Sequence, residues 1–333
     1  MTQKRISFMG TPDFGAKILR AMIDGGFAPA FVVSQPDKPV GRGRKIKPTS
    51  VKEVAIEAGI EVYQPESARK KSFIDWFEQQ NIDLNVVVAY GQILPPRLLD
   101  APRLGSINVH TSLLPKWRGC APIRWAILSG DSETGISIQK MVRELDAGPL
   151  YAREAIDIEE QDDVNSMFEK LEKLGVDVLM EALPKILADE LTPTPQEEWD
   201  ETYAHMLSKE HGRIDWTRSA TEIMNQVRAL HIWPSITLVR ENAEELKIHD
   251  VEIITQAHFN KTRKIVRDAQ IIDRLRGKPG EVIFVSKKEL WIASGAENLS
   301  IKVIQPVGKG KMNIADYLRG HKIEIGEIWQ PKE

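Results

Sequence analysis

Val86-Val87-Val88-Ala89 is the stretch of sequence that decides the fold class. These residues are apolar without the alternation of a half-exposed strand, so they predict a central strand that is covered on both faces. Around them, from residue 5 to about residue 160, short β-branched runs alternate with helical stretches. This alternation predicts an α/β domain in which helices cover both faces of a mostly parallel sheet.

The predicted strands of this sheet cover residues 5–9, 30–34, 60–63, 84–89, 106–110 and 135–140, with an antiparallel edge strand at 152–158. A long amphipathic helix is predicted over 162–189, and the prolines of Leu191–Gln196 favour an extended linker. A helix at 220–230 and several short strands after it predict a small β-barrel. We therefore expect domains at 1–189 and 207–333, joined by a linker at 190–206.

The composition is typical of a globular protein, with 42% hydrophobic residues, 28% charged residues and a net charge of −3. No apolar run in the sequence approaches the ~20 residues that cross a bilayer. The single cysteine, Cys120, excludes an internal disulfide, and residues 1–9 lack the apolar core and cleavage site of a signal peptide. We expect a cytoplasmic protein.

The most informative run is residues 105–119, in which Asn108 and His110 lie two positions apart on a predicted strand. Their side chains share one face, and the strand ends at once in a loop, where α/β sheets bind ligands. An amide and an imidazole placed together can stabilise a developing oxyanion and pass a proton. The alternative is that Asn108 caps the strand while His110 is a half-buried structural histidine.

Asp146 follows a neighbouring predicted strand, in a loop that Gly148-Pro149 turns sharply. A carboxylate there would orient the imidazole of His110 and favour its charged form. The alternative is an aspartate that only closes an Asx-turn. The sequence contains no GxGxxG, P-loop, HExxH or cysteine–histidine metal spacing, so we expect neither a nicotinamide or flavin cofactor nor a metal.

The segment Pro36–Pro48 carries five basic residues and one acid among glycines and prolines, which favours a mobile, exposed loop. It follows the second predicted strand, at the same edge of the sheet as Asn108 and His110. Such a density of positive charge favours contact with a phosphate backbone. The alternative is a charged loop that is merely solvated.

The sequence resembles the methionyl-tRNA formyltransferases, within the folate-dependent formyltransferase family, over essentially its whole length. The stretches that carry the resemblance are Phe8–Pro12, the basic loop, Val87–Pro95, Asn108–Gly119 and Leu145–Gly148. The resemblance implies a Rossmann-like N-terminal domain that binds 10-formyltetrahydrofolate and a C-terminal OB-like barrel that helps to hold tRNA. It assigns catalysis to Asn108, His110 and Asp146.

The same resemblance implies a set of binding residues for each substrate. The implied folate contacts are Tyr90, Gln92, Ile93, Ser112, Leu113, Leu114 and Pro115, and the implied tRNA contacts are Arg42, Arg44, Lys45 and Lys47. The implied reaction moves the formyl group of 10-formyltetrahydrofolate to the amine of initiator methionyl-tRNA, without a metal, in a monomeric protein.

The C-terminal half departs from the family at Leu230–Ser235, at Ile292–Glu297 and in extra length at Asn260–Arg276. These departures leave the chemistry unchanged but leave the RNA contacts of the barrel undefined. Two other interpretations stay open. One is the same reaction on a nucleotide-linked amino sugar, and the other is an RNA-binding protein whose α/β domain is a scaffold.

Overall fold

A computed structural model describes residues 4–40, 45–197, 200–255, 258 and 277–332. Arg42, Arg44 and the extra length at Asn260–Arg276 were singled out from the sequence. All of them lie outside the described residues. The chain forms two compact units. The first consists of residues up to Ile123, Ser132–Glu159 and Asn165–His205, and the second of Arg124–Asp131, Glu160–Val164 and the chain from Met206 onward.

The first unit contains a twisted α/β sheet. Its strands are β1 (Ile6–Gly10), β2 (Phe31–Val33), β5 (Val62–Tyr63), β6 (Leu84–Val88), β7 (Ser106–His110), β9 (Glu133–Lys140) and β10 (Leu150–Asp157). They lie in the order β10-β9-β7-β6-β1-β2-β5. The strands from β5 to β7 in this order are parallel, whereas β9 is antiparallel to β7 and β10 is antiparallel to β9. The predicted mostly parallel sheet and its antiparallel edge strand are confirmed.

The central strand β6 is buried along its whole length, as its apolar run predicts. Its one polar member, Asn85, is also buried, and it accepts a hydrogen bond from Ser7 Oγ at 2.9 Å and donates one to Ser106 Oγ at 3.3 Å. Buried amides require such partners, because an unpaired one would cost its full desolvation energy. These side chains therefore join β1, β6 and β7 in the middle of the sheet.

The described helices of the α/β region are α1 (Asp13–Asp24), α2 (Ser50–Glu57), α3 (Lys71–Gln79), α4 (Pro96–Asp100), α5 (Pro122–Ser129) and α6 (Val164–Leu187). The basic segment was predicted as a loop, but its described ends form two short antiparallel strands, β3 (Lys38–Val40) and β4 (Lys45–Lys47). Three-residue strands carry too little alternation to be recognised in the sequence. Within the described ranges, every helix is too short or too polar to cross a bilayer.

The second unit contains a curled antiparallel sheet. Its strands are β12 (Ile236–Val239), β13 (Glu245–Ile253), β14 (Val282–Val285), β15 (Leu290–Ala293), β16 (Asn298–Pro306), β17 (Met312–Asn313) and β18 (Gln330–Pro331), with helices α7 (Ala220–Leu230) and α8 (Ile314–Gly320). The order is β14-β15-β16-β13-β12-β18. The last segment closes this sheet, because Glu327 and Trp329 bond backbone groups beside β14 while β18 pairs with β12. An OB-like barrel is thereby formed around Trp329 and its apolar neighbours.

A buried ion network joins the end of β12 to α8 and to the last segment of the chain. The Arg240 side chain is 4% exposed and donates to both carboxylate oxygens of Glu327, at 2.7 and 3.0 Å. It also donates to Glu244 at 2.9 Å and to the Tyr317 hydroxyl at 3.0 Å. The hydrogen bond to Glu327 raises the pKa of Arg240 above its ordinary value. Each buried charge here has a partner of opposite sign, which is the condition for burying it.

Candidate active site

Asn108 and His110 lie on one face at the end of β7, as their spacing predicts. In the adjacent β9, Gln139 lies opposite Asn108 and Ser137 lies opposite His110, so these four polar side chains share that face. Asn108 is half-buried, and among the described residues its side chain has no hydrogen-bond partner. Its amide N–H groups are therefore available to a ligand.

The orientation of the His110 ring is fixed by the loop that follows β7. Nε2 of His110 lies 2.9 Å from the carbonyl oxygen of Trp117. Because a carbonyl can only accept, Nε2 carries a proton and donates it there. Nδ1 of the same ring lies 3.7 Å from Oδ2 of Asp146, which is too long for a direct hydrogen bond. The carboxylate thus lies beside the second ring nitrogen without binding it directly.

The carboxylate of Asp146 is held by two donors. Its Oδ2 accepts from the backbone N–H of Gly119 at 2.8 Å, and its Oδ1 accepts from Nε2 of Gln139 at 2.7 Å. The backbone of Asp146 has φ +48°, a left-handed conformation that aspartate tolerates better than most residues. The position of this carboxylate is therefore set by its neighbours rather than by solvent.

The route of the chain to Asp146 differs from the one that the sequence suggested. Asp146 was expected beyond the end of a strand next to β7, at the ligand-binding edge. Since β9 is antiparallel to β7, it ends at the opposite edge, where Met141 N bonds the carbonyl of Ser106. The chain then folds back, and Lys140 N bonds the carbonyl of Pro149. Asp146 reaches His110 because the loop returns along the sheet.

The segment predicted as a linker packs against both loops of the site. We call residues 194–197 and 200–204 the strap. Gln196 of the strap donates to the carbonyl oxygens of Asp146 and Gly148, at 2.8 and 2.7 Å. Thr202 accepts from the backbone N–H of Trp117 at 2.9 Å. The strap also forms β11 (Tyr203–Ala204), which pairs with β8 (Arg118–Gly119).

The backbone of Gly119, where β8 meets the strap, has a conformation that other residues rarely adopt. Its φ is +118°, and a Cβ added there would lie 2.7 Å from the carbonyl oxygen of Ala204. Glycine therefore allows β8 and β11 to approach each other. The same glycine supplies the N–H that holds Asp146.

The predicted folate residues divide into exposed groups and supporting groups. Tyr90 is fully buried, which raises the pKa of its hydroxyl to about 12, and its carbonyl accepts from Thr11 and Gln35. Gln92 is engaged with the backbone of Ala68 and Glu66. By contrast, Ile93 is 69% exposed. Tyr90, through its carbonyl, and Gln92, through its side chain, thus support this loop, while Ile93 offers an apolar surface.

The turn of Ser112, Leu113, Leu114 and Pro115 is fixed by β9. Ser137 Oγ donates to the carbonyl of Ser112 at 2.7 Å and accepts from the N–H of Leu114 at 3.1 Å. Ser112, Leu114 and Pro115 are buried, and Leu113 is half-buried. Leu113 is therefore the member of the turn whose side chain remains most accessible.

Of the predicted tRNA contacts, Lys45 and Lys47 lie exposed on β4. At the base of this hairpin, Lys52 binds Asp37 at 2.7 Å, and this bond holds the pKa of the Asp37 carboxyl below its usual value. The acid of the segment is thus neutralised by Lys52, and the lysines of β4 remain as positive charge at the surface. Among the described residues, no group of histidine, cysteine and carboxylate side chains is arranged to hold a metal ion.

Sequence reasoning missed Ser137 and Gln139, which support the site from β9. A signal was present in the alternation of Ile136-Ser137-Ile138-Gln139. In a strand with apolar residues on one face, a serine and a glutamine on the other face indicate a polar environment there. Gln196 gave no comparable signal, because it lies in irregular chain.

The comparisons with known proteins cover both units. The chain matches the family described as Formyl transferase over residues 4–183, and Formyl transferase, C-terminal domain, over residues 206–322. The methionyl-tRNA formyltransferase of Enterococcus faecalis (strain ATCC 700802 / V583) is 42% identical over 97% of this chain and 98% of its own length. The protein of that name from Bacillus subtilis (strain 168) is 40% identical over 97% of each chain.

Solved structures share the fold at lower sequence identity. A sugar 3N-formyl transferase, crystallised with dTDP and 5-N-formyl-THF, has a TM-score of 0.65 at 16% identity and covers 93% of this chain and 100% of its own. An N-formyltransferase from Helicobacter canadensis, in complex with folinic acid and dTDP-3-aminofucose, has a TM-score of 0.62 at 16% identity, covering 91% of this chain and 100% of its own. Given both family matches and the full-length relatives, the chain belongs to the methionyl-tRNA formyltransferase family.

Proposed function

We propose that the protein transfers the formyl group of 10-formyltetrahydrofolate to the free α-amine of initiator methionyl-tRNA. The observation that carries this proposal is the grouping of Asn108, His110 and Asp146 on one face beside the end of β7. The curated relatives that are about 40% identical over nearly the whole chain bear the corresponding name. A direct transfer also requires no covalent enzyme intermediate.

In the proposed mechanism, the amine attacks the formyl carbon and forms a new C–N bond, while the carbonyl oxygen becomes an oxyanion. The unpaired amide of Asn108 donates to this oxyanion, and one such donor contributes roughly 3–4 kcal/mol in other acyl-transfer enzymes. The tetrahedral intermediate then collapses with cleavage of the bond between N10 and the formyl carbon.

One proton has to move in this reaction, because the attacking amine loses a proton and N10 gains one. Trp117 binds the Nε2 proton of His110, so Nδ1 is the ring nitrogen that can exchange a proton with the substrates. Asp146 lies beside Nδ1 and stabilises the ring whenever it is positively charged. His110 thus relays the proton and supports the oxyanion, while Trp117 orients its ring and the charge of Asp146 stabilises its protonated form.

For the folate, we propose contact with the exposed side chain of Ile93 and with Leu113. Tyr90, Gln92 and the buried members of the 112–115 turn would act through the backbone that they fix. Apolar groups suit the flat ring system of the folate, and backbone groups of a fixed loop can read its polar edge.

For the tRNA, we propose that Lys45 and Lys47 bind phosphates near the acceptor end, and that Arg42 and Arg44 contact the tRNA there, with Arg42 reaching its bases. The two lysines are exposed on β4, as such a contact requires. The OB-like barrel of the second unit would supply further contacts, since barrels of this type bind nucleic acid on an open face.

The test is a formyl-transfer assay with 10-formyltetrahydrofolate and three acceptors offered separately. These are initiator methionyl-tRNA, elongator methionyl-tRNA and a nucleotide-linked amino sugar. We expect transfer to the initiator tRNA with the highest kcat/KM. Transfer to the sugar alone would replace the acceptor in this proposal, and transfer to none of them would reject the reaction.

A further inference from the structure

The geometry points to Gln139 as a positioning residue of this active site. Its side chain lies on β9, directly opposite Asn108, and its Nε2 donates to Oδ1 of Asp146 at 2.7 Å. We infer that this bond fixes the rotation of the Asp146 carboxylate and thereby the position of the negative charge beside Nδ1 of His110. The turnover part of this inference rests on the proposed function.

The rotation of the Asp146 carboxylate depends on two bonds at its two oxygens. Gly119 binds Oδ2 through the backbone, and Gln139 binds Oδ1 through its side chain. With the Gly119 bond alone, the carboxylate could turn about its terminal torsion, which is broad and roughly two-fold in aspartate. The second bond removes that freedom and keeps Oδ2 beside Nδ1 of His110.

The neighbours of Gln139 also settle which end of its amide faces Asp146. A carboxylate oxygen only accepts hydrogen bonds, so the group that lies 2.7 Å from it must be the NH2 of the amide. The reversed amide would bring two oxygens together and is excluded by their repulsion. The donor role of Gln139 therefore follows from the chemistry of its partner.

A packing role does not account for a glutamine at this position. Gln139 is 1% exposed, and its Oε1 is buried with no hydrogen-bond partner among the described residues. An apolar side chain of similar size would fill the same space without an unpaired carbonyl, which is unfavourable when buried. The bond to Asp146 is the gain that offsets this cost.

The same strand offers a matched control. Thr134 is buried on β9, and its Oγ1 also has no hydrogen-bond partner among the described residues. Thr134 lies five positions before Gln139, and an odd interval along a strand places the two side chains on opposite faces, so Thr134 lies away from Asp146. Thr134→Val removes its buried hydroxyl at constant shape and should leave every readout of the site unchanged.

The experiment compares Gln139→Met and Gln139→Glu with wild type and with Thr134→Val. The methionine keeps the length of the side chain but cannot donate, and the glutamate keeps its shape but places a negative charge against Asp146. We expect kcat to fall about 10-fold for the methionine and about 100-fold for the glutamate, by analogy with the losses seen when the hydrogen-bond partner of a metal ligand is removed. KM for the folate should change little, since the bond acts on the reacting groups.

A spectroscopic readout separates positioning from mere support of the fold. In the protein without substrates, the ring ¹⁵N shifts of His110 should change in both Gln139 variants, because the neighbouring carboxylate is no longer fixed, and they should stay at wild-type values in Thr134→Val. A loss of kcat with wild-type His110 shifts would overturn the inference.

The outcomes for Gln139 and for the proposed function can be told apart. If the wild type fails to formylate any acceptor, the proposed function fails, and the His110 shifts in the free protein still decide the role of Gln139. If neither variant folds, the side-chain amide resonances of Gln139 in wild type are compared with those in Asp146→Asn. Unchanged resonances there would overturn the inference, and a shift toward an amide without a charged partner would support it.

Discussion

Asn108 provides the sharpest test of the proposed chemistry, because its side chain makes no hydrogen bond to the described protein. Asn108→Ala therefore removes no bond that holds the fold, and the free energy of unfolding should change by less than about 1 kcal/mol. In the transition state, the same substitution removes one oxyanion donor. We expect kcat to fall by ~10²–10³-fold, which corresponds to ~2.7–4 kcal/mol.

Asn108→Asp distinguishes a donor from a residue that only fills space. Aspartate has nearly the shape of asparagine, but its ionised oxygens cannot donate and they repel a developing oxyanion. A donor role predicts that Asn108→Asp loses at least as much kcat as Asn108→Ala. A steric role predicts the reverse order, with the aspartate variant close to wild type.

The assay is single-turnover formylation of methionyl-tRNA with saturating 10-formyltetrahydrofolate, so that product release does not enter the rate. Urea unfolding of each variant measures its stability in parallel. The KM for the folate should stay within a few-fold of wild type, because the ground-state carbonyl is a weaker acceptor than the oxyanion. A folded Asn108→Ala protein that keeps more than a tenth of wild-type kcat would refute the donor assignment.

Three other outcomes follow from features of the structure outside this residue. Neutralising Lys45 and Lys47 together should make the dependence of log K for tRNA on log salt shallower by about 2, while KM for the folate stays unchanged. An unchanged slope in a filter-binding titration would argue against phosphate contacts. Arg240→Met should lower the free energy of unfolding, measured by urea denaturation, by about 3–5 kcal/mol, because it leaves buried carboxylates without their partner. A loss below about 1 kcal/mol would show that the network contributes little. Burial lowers the pKa of His231 and of His249, so the unfolded chain takes up protons first as the pH falls through about 6.5, and stability should decline below that pH. Replacing both histidines with glutamine should flatten the change in urea midpoint between about pH 7.5 and pH 5.5, and an equal change in the variant would contradict this account.

The sequence was sufficient for those parts of the site that depend on local periodicity. Asn108 and His110 were predicted to share a face because side chains alternate along any strand, and the structure has both on β7. The buried central strand and the small β-barrel followed from the same kind of pattern, whereas the OB-like form of the barrel followed from the family resemblance. Such predictions succeed because each rests on the geometry of one element at a time.

The contacts made by Asp146 could not be predicted in this way. Its loop approaches His110 because β9 re-enters the sheet antiparallel to β7, and strand direction is decided by the path of the chain between the two strands. The sequence pattern of a single strand is the same in either direction. The bond from Gln139 depends on that direction, and so it also lay beyond local reasoning.

The strap was predicted only as extended chain. Its prolines do favour that conformation, but its contacts with Asp146, Gly148 and Trp117 join residues that are many positions apart. No local pattern encodes such long-range pairs. The role of such a segment becomes clear only from the structure, which shows the donors and acceptors that it binds.

The strap also fixes when, during synthesis, this chain can become active. A nascent chain that has reached residue 189 already contains all three predicted catalytic residues, but it lacks Gln196, Thr202 and Ala204. The backbone carbonyls of Asp146 and Gly148 and the N–H groups of Trp117 and Cys120 then have none of the partners that they have in the finished protein. Domains fold as the ribosome extends them, and pairings between distant segments form late. The loops that carry the predicted catalytic residues therefore gain their final setting after the sheet that supports them has been completed, once the ribosome has extended the chain past Ala204.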